Sequence, residues 1–304
     1  MNTIVSASIL SADLCRLGEE LDRAEKCGCD HIHFDVMDGV FVNNISYGIP
    51  VLASVRKHTK MFIDVHLMIT DPIRYIDAFA DNGADMISFH LEAAPDPAAV
   101  ISAIKAKGKK AGIAIKPATP VSDVLPYAES ADMILIMTVD PGFGGQGFIY
   151  ESLDKIRELK AYLDSHSLSA HIQVDGGIND KTSASVREAG ADILVAGSYL
   201  FKADDMAAAA ASIRALWGMI TLPCSFMQAS EISSARVTLP SGSAALLGIS
   251  ATSRRQCFSP VSREFSDITP IRVRLRQMPK SSFIPPAVII ALIFSLLRRF
   301  FGEM

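Results

Sequence analysis

Two imidazoles and two carboxylates stand out first, His33, Asp35, His66 and Asp175. His33 and Asp35 alternate in His31-Ile32-His33-Phe34-Asp35-Val36-Met37, His66 sits in Asp64-Val65-His66-Leu67-Met68, and Asp175 closes Gln173-Val174-Asp175 just before Gly176-Gly177. Each segment reads as a strand, whose side chains point alternately to its two faces. His33, Asp35 and Met37 therefore share one face of theirs, and Asp64, His66 and Met68 share one face of the next. Four ligand-type side chains from three strand ends suit one divalent transition metal ion: Zn, Fe, Mn or Co. Buried His and Asp that merely satisfy one another inside a polar layer are the plainer alternative.

Glycine-rich turns supply a second chemistry. Asp140-Pro141-Gly142-Phe143-Gly144-Gly145-Gln146-Gly147, Gly176-Gly177 and Gly197-Ser198 each follow a strand-like run. Glycine lets backbone N–H groups approach an anion closely, so three such turns point to a phosphorylated small molecule. A metal, two carboxylates and a phosphate cradle together suit proton abstraction beside a carbonyl, with the metal holding the enediolate oxygens.

The elements that must position these groups alternate along the chain. Short apolar runs at Ile4-Leu10, His31-Met37, Phe62-Ile69, Met86-Leu91, Ala111-Ile115, Met133-Val139, Ile172-Asp175 and Ile193-Ala196 read as eight strands. Between them lie helical spacings such as Leu14, Leu17, Leu21, Ala24 and Ile156, Leu159, Leu163. Asp71-Pro72 reads as an N-cap followed by proline at the first helical position. Gly28, Gly83 and Gly190 each precede a small residue, an Asp and an apolar strand, a repeated helix-to-strand junction. This pattern predicts an α/β fold, a closed (β/α)8 TIM barrel, with a doubly wound open sheet as the runner-up. In such a barrel the active site lies where the strands end, which is where these polar residues fall.

Charge divides the chain in two. The 304 residues carry a net charge of −4. Residues 1–216 hold −10, whereas residues 217–304, with nine Arg and one Lys against Glu231, Glu264, Asp267 and Glu303, hold +6. An acidic body makes nucleic acid an improbable partner. A hydrophobic content of 49% excludes disorder for the bulk, and five unpaired-looking Cys exclude a disulfide framework or a thiolate zinc module. With no basic, apolar leader visible at Met1-Asn2-Thr3, the expected compartment is the cytoplasm.

The segments Ser6-Ala7-Ser8-Ile9-Leu10-Ser11-Ala12-Asp13, His33-Phe34-Asp35-Val36-Met37-Asp38-Gly39, Asp64-Val65-His66-Leu67-Met68 and Asp140-Pro141-Gly142-Phe143-Gly144-Gly145-Gln146 resemble the ribulose-phosphate 3-epimerase family. Val174-Asp175-Gly176-Gly177-Ile178 and Val195-Ala196-Gly197-Ser198 extend the likeness across about residues 4–216. The resemblance implies interconversion of D-ribulose 5-phosphate and D-xylulose 5-phosphate by proton exchange at carbon 3, in the pentose phosphate pathway. It implies His33, Asp35, His66 and Asp175 as metal ligands, with Asp35 and Asp175 also the two acid–base groups. It further implies substrate contacts from Ser8, His66, Met37, Met68 and Met137, and phosphate contacts from Gly144, Gly145, Gly176, Gly177, Gly197 and Ser198. A homo-oligomer is expected. His31, His58, His90, His166 and His171 fall outside the ligand pattern and read as surface or packing residues. Asn43 stands where the family has proline in Phe-Val-Pro-Asn, and Lys116 stands where many members have asparagine. Allulose-6-phosphate 3-epimerases share the metal set and phosphate loops, so they, or another sugar-phosphate-binding barrel enzyme, are the alternative; the Asp-Gly-Gly-Ile form here favours the five-carbon substrate.

Two other classes are weighed. A Schiff-base aldolase needs a strand-end lysine, for which Lys116 is the candidate, and a non-catalytic phosphate-binding module would leave the complete His and Asp set without purpose. The Ser/Pro/Arg-rich residues 217–304 lie outside the resemblance. They are expected to be poorly ordered, with a short apolar helix near 287–299 that is too short to span a bilayer, and a shifted reading frame or a fusion is one origin for them.

Overall fold

The computed structural model describes residues 3–215 and three short strands beyond them. Among these residues eight parallel strands close into a barrel: β1 (Ile4–Ser8), β2 (His31–Met37), β3 (Phe62–Met68), β4 (Met86–His90), β5 (Lys110–Ile115), β6 (Met133–Met137), β7 (His171–Asp175) and β8 (Ile193–Ala196). They follow one another around the barrel, and β8 returns to pair with β1. This is the expected TIM barrel, and each strand lies within two residues of its expected bounds.

The outward faces of the strands are apolar and buried. On β2, Ile32, Phe34 and Val36 pack outward beneath the helices, while His33, Asp35 and Met37 point inward, all six hidden from solvent. Burial on both faces is what makes parallel strands read as nearly continuous apolar runs, so the inward polar residues are conspicuous interruptions. The covering helices are α1 (Leu17–Lys26), α2 (Ile49–His58), α3 (Ile76–Asp81), α4 (Pro97–Ala106), α5 (Ser152–Ser165), α6 (Ser183–Ala189), α7 (Ser198–Phe201) and α8 (Met206–Arg214). Asp96 and Asp205 cap α4 and α8, accepting from the N–H groups of Ala99 and Ala208 at 3.1 and 2.9 Å. The junction glycines Gly28, Gly83 and Gly190 have φ of +80°, +114° and +121°, the conformation in which a side chain is strained.

Two local expectations differ from what is observed. Asp71 makes no side-chain cap; it lies in the left-handed region at φ +52°, and Pro72–Tyr75 form a 3-10 turn before α3. The crossover from β5 to β6 contains no α-helix but two 3-10 turns, Val121–Asp123 and Leu125–Tyr127. Pro117, Pro120 and Pro126 interrupt that stretch, and each lacks the N–H that a continuous helix needs.

The chain divides into two units, residues 1–215 and 216–304. In the second, Arg236–Val237 (β9), Leu247–Ile249 (β10) and Val273–Arg274 (β11) form an antiparallel sheet with β10 in the centre. The apolar helix expected near 287–299, and the expectation of poor order for most of 217–304, lie outside the described residues. No described helix is long and apolar enough to cross a membrane.

Phe34 anchors the outer face of β2. It is fully buried and packs on Tyr47 with ring centroids 4.5 Å apart. Phe34→Ala is expected to lower unfolding stability by about 3–5 kcal/mol, the usual cost of emptying an aromatic core position. Urea unfolding measures this, and a loss under about 1 kcal/mol would contradict the packing role.

Candidate active site

Strand pairing sets the site in tiers. In register, Ser8 stands beside His33 and His33 beside Asp64, then Asp35 beside His66 and Met37 beside Met68; across the barrel Met137 stands beside Asp175. The C-terminal ends of β1, β2, β3, β6 and β7 thus bring acids, imidazoles and thioethers to one face of the barrel.

The four expected ligands converge. One donor atom from each of His33, Asp35, His66 and Asp175 lies within 4.8 Å of the others. Nε2 of His33 is 3.2 Å from Asp35 Oδ1, and Nδ1 of His66 is 3.4 Å from the same oxygen. Asp175 Oδ2 is 3.8 Å from both of these nitrogens. Both imidazoles are fully buried, and the Asp175 side chain keeps 17% exposure toward the cavity. Ser8 donates its hydroxyl to Asp35 Oδ2 at 2.6 Å, leaving Oδ1 for the cluster. Asp64 accepts from His33 Nδ1 at 2.8 Å and from Gln173 Nε2 at 2.6 Å, so a neutral His33 turns its unprotonated Nε2 to the centre.

Electrostatics pushes the two carboxyls apart. Burial raises the Asp175 pKa to about 6, with the charge of Asp35 adding to the shift. Burial also opposes the charge on Asp35, but His33 and His66 outweigh it and hold that carboxyl well below its ordinary range. His33 is raised well above the usual imidazole value, because Asp35 and Asp64 outweigh the desolvation that would lower it. Two imidazole nitrogens and two carboxylate oxygens fit a divalent cation in both charge and donor type.

A cavity of about 360 Å³ opens above this cluster. Asp35 and Asp175 reach its floor, and so do Ser8, Met37, Met68, Met137, Gly144, Gly145, Gly176, Gly177, Gly197 and Ser198, all expected from the sequence. His66 lies behind the lining rather than in it, as does His33. Gly177 has φ +68°, and a Cβ there would sit 2.8 Å from the Phe148 backbone, so this turn requires glycine. Asn44 ties the loop after β2 to the loop after β6 through the Gly142 carbonyl at 2.7 Å. Met37, Met68 and Val42 form an apolar cluster backed by Leu10 and Phe41.

Lys116 is not part of the lining. Its ammonium lies 3.8 Å from the centre of the Phe41 ring, so Lys116 is not placed there for a Schiff base. Lys202, Tyr199 and Asn179 do line the cavity and went unnoticed in the sequence, because they lie in loops and in the short α7, where no periodicity marks them. Asp64, His90 and Glu92 were also passed over as functional residues. Strand alternation places Asp64 inward, and it also places His90 inward with Met86 and Ser88, but neither residue belongs to the ligand pattern.

The model of the ribulose-phosphate 3 epimerase family matches residues 4–201. The chain belongs to this family. Among curated relatives, the ribulose-phosphate 3-epimerase of Synechocystis is 48% identical over 216 residues, covering 70% of this chain and 94% of the relative. That of Bacillus subtilis is 48% identical, covering 69% of this chain and 97% of the relative. Among solved structures, 3-hexulose-6-phosphate synthase from Salmonella typhimurium aligns with a TM-score of 0.54 at 19% identity, covering 70% of this chain and 97% of its own; at that identity the likeness concerns the fold alone. The family match ends before residues 216–304, so the second unit stands outside it.

Protons and a cation compete for the same atoms here, since bound metal requires an ionised Asp175 and a neutral His33. Metal affinity is therefore expected to rise with pH and to fall by about tenfold or more per unit as pH drops below about 6. Chelator competition at pH 5, 6 and 7 measures this, and a flat profile would contradict the assigned ligands.

Proposed function

We propose that the chain interconverts D-ribulose 5-phosphate and D-xylulose 5-phosphate by removing the carbon 3 proton from one face and returning a proton to the other. The observation that carries this reading is the pair Asp35 and Asp175, which come from separate strands, β2 and β7, open onto one cavity and differ in proton affinity, Asp35 held low and Asp175 raised. Inversion through a planar intermediate needs one base and one acid, and a carboxylate facing a carboxylic acid provides both. In one direction the Asp35 carboxylate takes the proton while Asp175 delivers its own; in the other the roles exchange. Ser8, donating to Asp35 Oδ2, orients that carboxylate.

His33, Asp35, His66 and Asp175 would hold one divalent ion, Zn, Fe, Mn or Co. When bound, it would supply Lewis-acid stabilisation of the negative charge on the enediolate oxygens. Met37, Met68 and Met137 present thioethers to the cavity, which exclude water without offering a proton to the carbanion. Gly144, Gly145, Gly176, Gly177, Gly197 and Ser198 offer an open backbone suited to the phosphate. The free thiols Cys15, Cys27 and Cys29 favour a reducing, cytoplasmic setting.

Asp175→Asn is expected to retain sugar-phosphate binding while losing about 10²–10⁴-fold in turnover, together with exchange of the carbon 3 hydrogen with solvent deuterium. A coupled assay and NMR of the recovered sugar measure both; near-normal epimerisation would overturn the role of Asp175. Exhaustive chelation is expected to abolish turnover and added divalent metal to restore it, whereas full activity without metal would refute the metal-dependent reading. Assay of allulose 6-phosphate beside ribulose 5-phosphate decides the carbon-chain length.

A further inference from the structure

His90 and Glu92 extend the site away from the cavity. His90 closes β4, is fully buried and stacks on His66 with ring centroids 5.1 Å apart. Its Nε2 lies 3.1 Å from Nε2 of His66, and its Nδ1 lies 3.2 Å from Glu92 Oε2. The other Glu92 oxygen accepts the Lys116 backbone N–H at 2.8 Å and the Thr119 hydroxyl.

This arrangement has only one proton assignment compatible with metal binding. Two imidazole nitrogens facing each other at hydrogen-bond distance must share a single proton, since two protons would collide and two lone pairs would repel. If His66 Nδ1 is bare toward Asp35 and Asp175, the proton sits on His66 Nε2. His90 Nε2 is then the acceptor, its own proton is on Nδ1, and that proton is donated to a carboxylate. Glu92 is that carboxylate, and its remaining oxygen is saturated by two donors, so its ionised form is favoured.

We propose that His90 and Glu92 are positioning residues, a buried carboxylate–imidazole relay that fixes the tautomer and raises the basicity of the metal ligand His66. The inference rests on the reading of His33, Asp35, His66 and Asp175 as a metal site, and concerns a part of the molecule that touches neither metal nor sugar. His33 receives the same service directly from Asp64. For His66 the partner carboxylate stands one imidazole further out, because the β4 side chain that reaches its Nε2 is His90, not an acid. Glu92 is lowered to about 2 although burial opposes it, owing to hydrogen bonds from His90, Thr119 and the Lys116 backbone.

The test uses the full chain. Glu92→Gln and His90→Phe are expected to weaken Zn(II) or Co(II) binding by about 10–100-fold in chelator competition, the usual cost of removing a ligand's outer hydrogen bond. In the Zn(II)-loaded wild type, ¹H–¹⁵N spectra of the seven histidines are expected to show His66 protonated on Nε2 and His90 on Nδ1, and Glu92→Gln to mix these tautomers. A purely structural role would leave the tautomers of a folded variant unchanged. Affinity within twofold of wild type, or a wild-type His66 carrying its proton on Nδ1, would overturn the relay. The wild-type spectrum decides even where a variant fails to fold. A wild type that binds no divalent metal would instead overturn the metal reading on which the relay rests.

Discussion

The structure depends on a charge conflict at one end of the barrel. Asp35 and Asp175 bring carboxylate oxygens within 4.8 Å of each other, and two unit charges about 4 Å apart repel by about 4 kcal/mol even at an effective dielectric of about 20. Such a pair persists only if positive charge or a proton lies between them. His33 and His66 occupy that position, and the same geometry suits a divalent cation. The arrangement that makes the carboxylates costly to bury also gives them unequal proton affinities, which is the property a two-base inversion uses.

The barrel exists to enforce this conflict. Parallel pairing fixes which residues share a tier, so Asp35 cannot retreat from His66 without shifting the whole β2–β3 register. A one-residue slip would turn the apolar Ile32, Phe34 and Val36 inward and expose the acids to the helix-packing layer. The apolar exterior of each strand therefore stabilises the polar interior indirectly: moving one set means moving the other. Around this fixed floor, loops after β2 and β6 are tied to each other through Asn44 and Gly142.

Support for the ligands is unequal in form and equal in effect. His33 leans on Asp64 directly, and Gln173 holds Asp64 from β7. His66 leans on His90, which leans on Glu92, which is held by the segment around Lys116 and Thr119. Strands β3, β4 and β7 and the turns after β4 and β5 thus contribute to orienting two imidazoles. On each imidazole the ring nitrogen turned away from the cluster has a hydrogen-bonding partner of its own.

From the residues and the family resemblance came the eight strands, the junction glycines, the inward faces of β2 and β3, and the four candidate ligands, which the fold brings together at one cavity. All of these follow from short-range rules, the period of two in a strand and the conformations open to glycine, or from motifs compact enough to match a family. The failures were also local: Asp71 proved to be no cap because its backbone is left-handed, and prolines broke the expected helix between β5 and β6. What only the tertiary structure decided was partnership across strands. That His90 faces His66, that Glu92 stands behind it, and that Lys116 lies against Phe41 rather than in the cavity depend on register between distant segments, and register is set by the closed barrel as a whole.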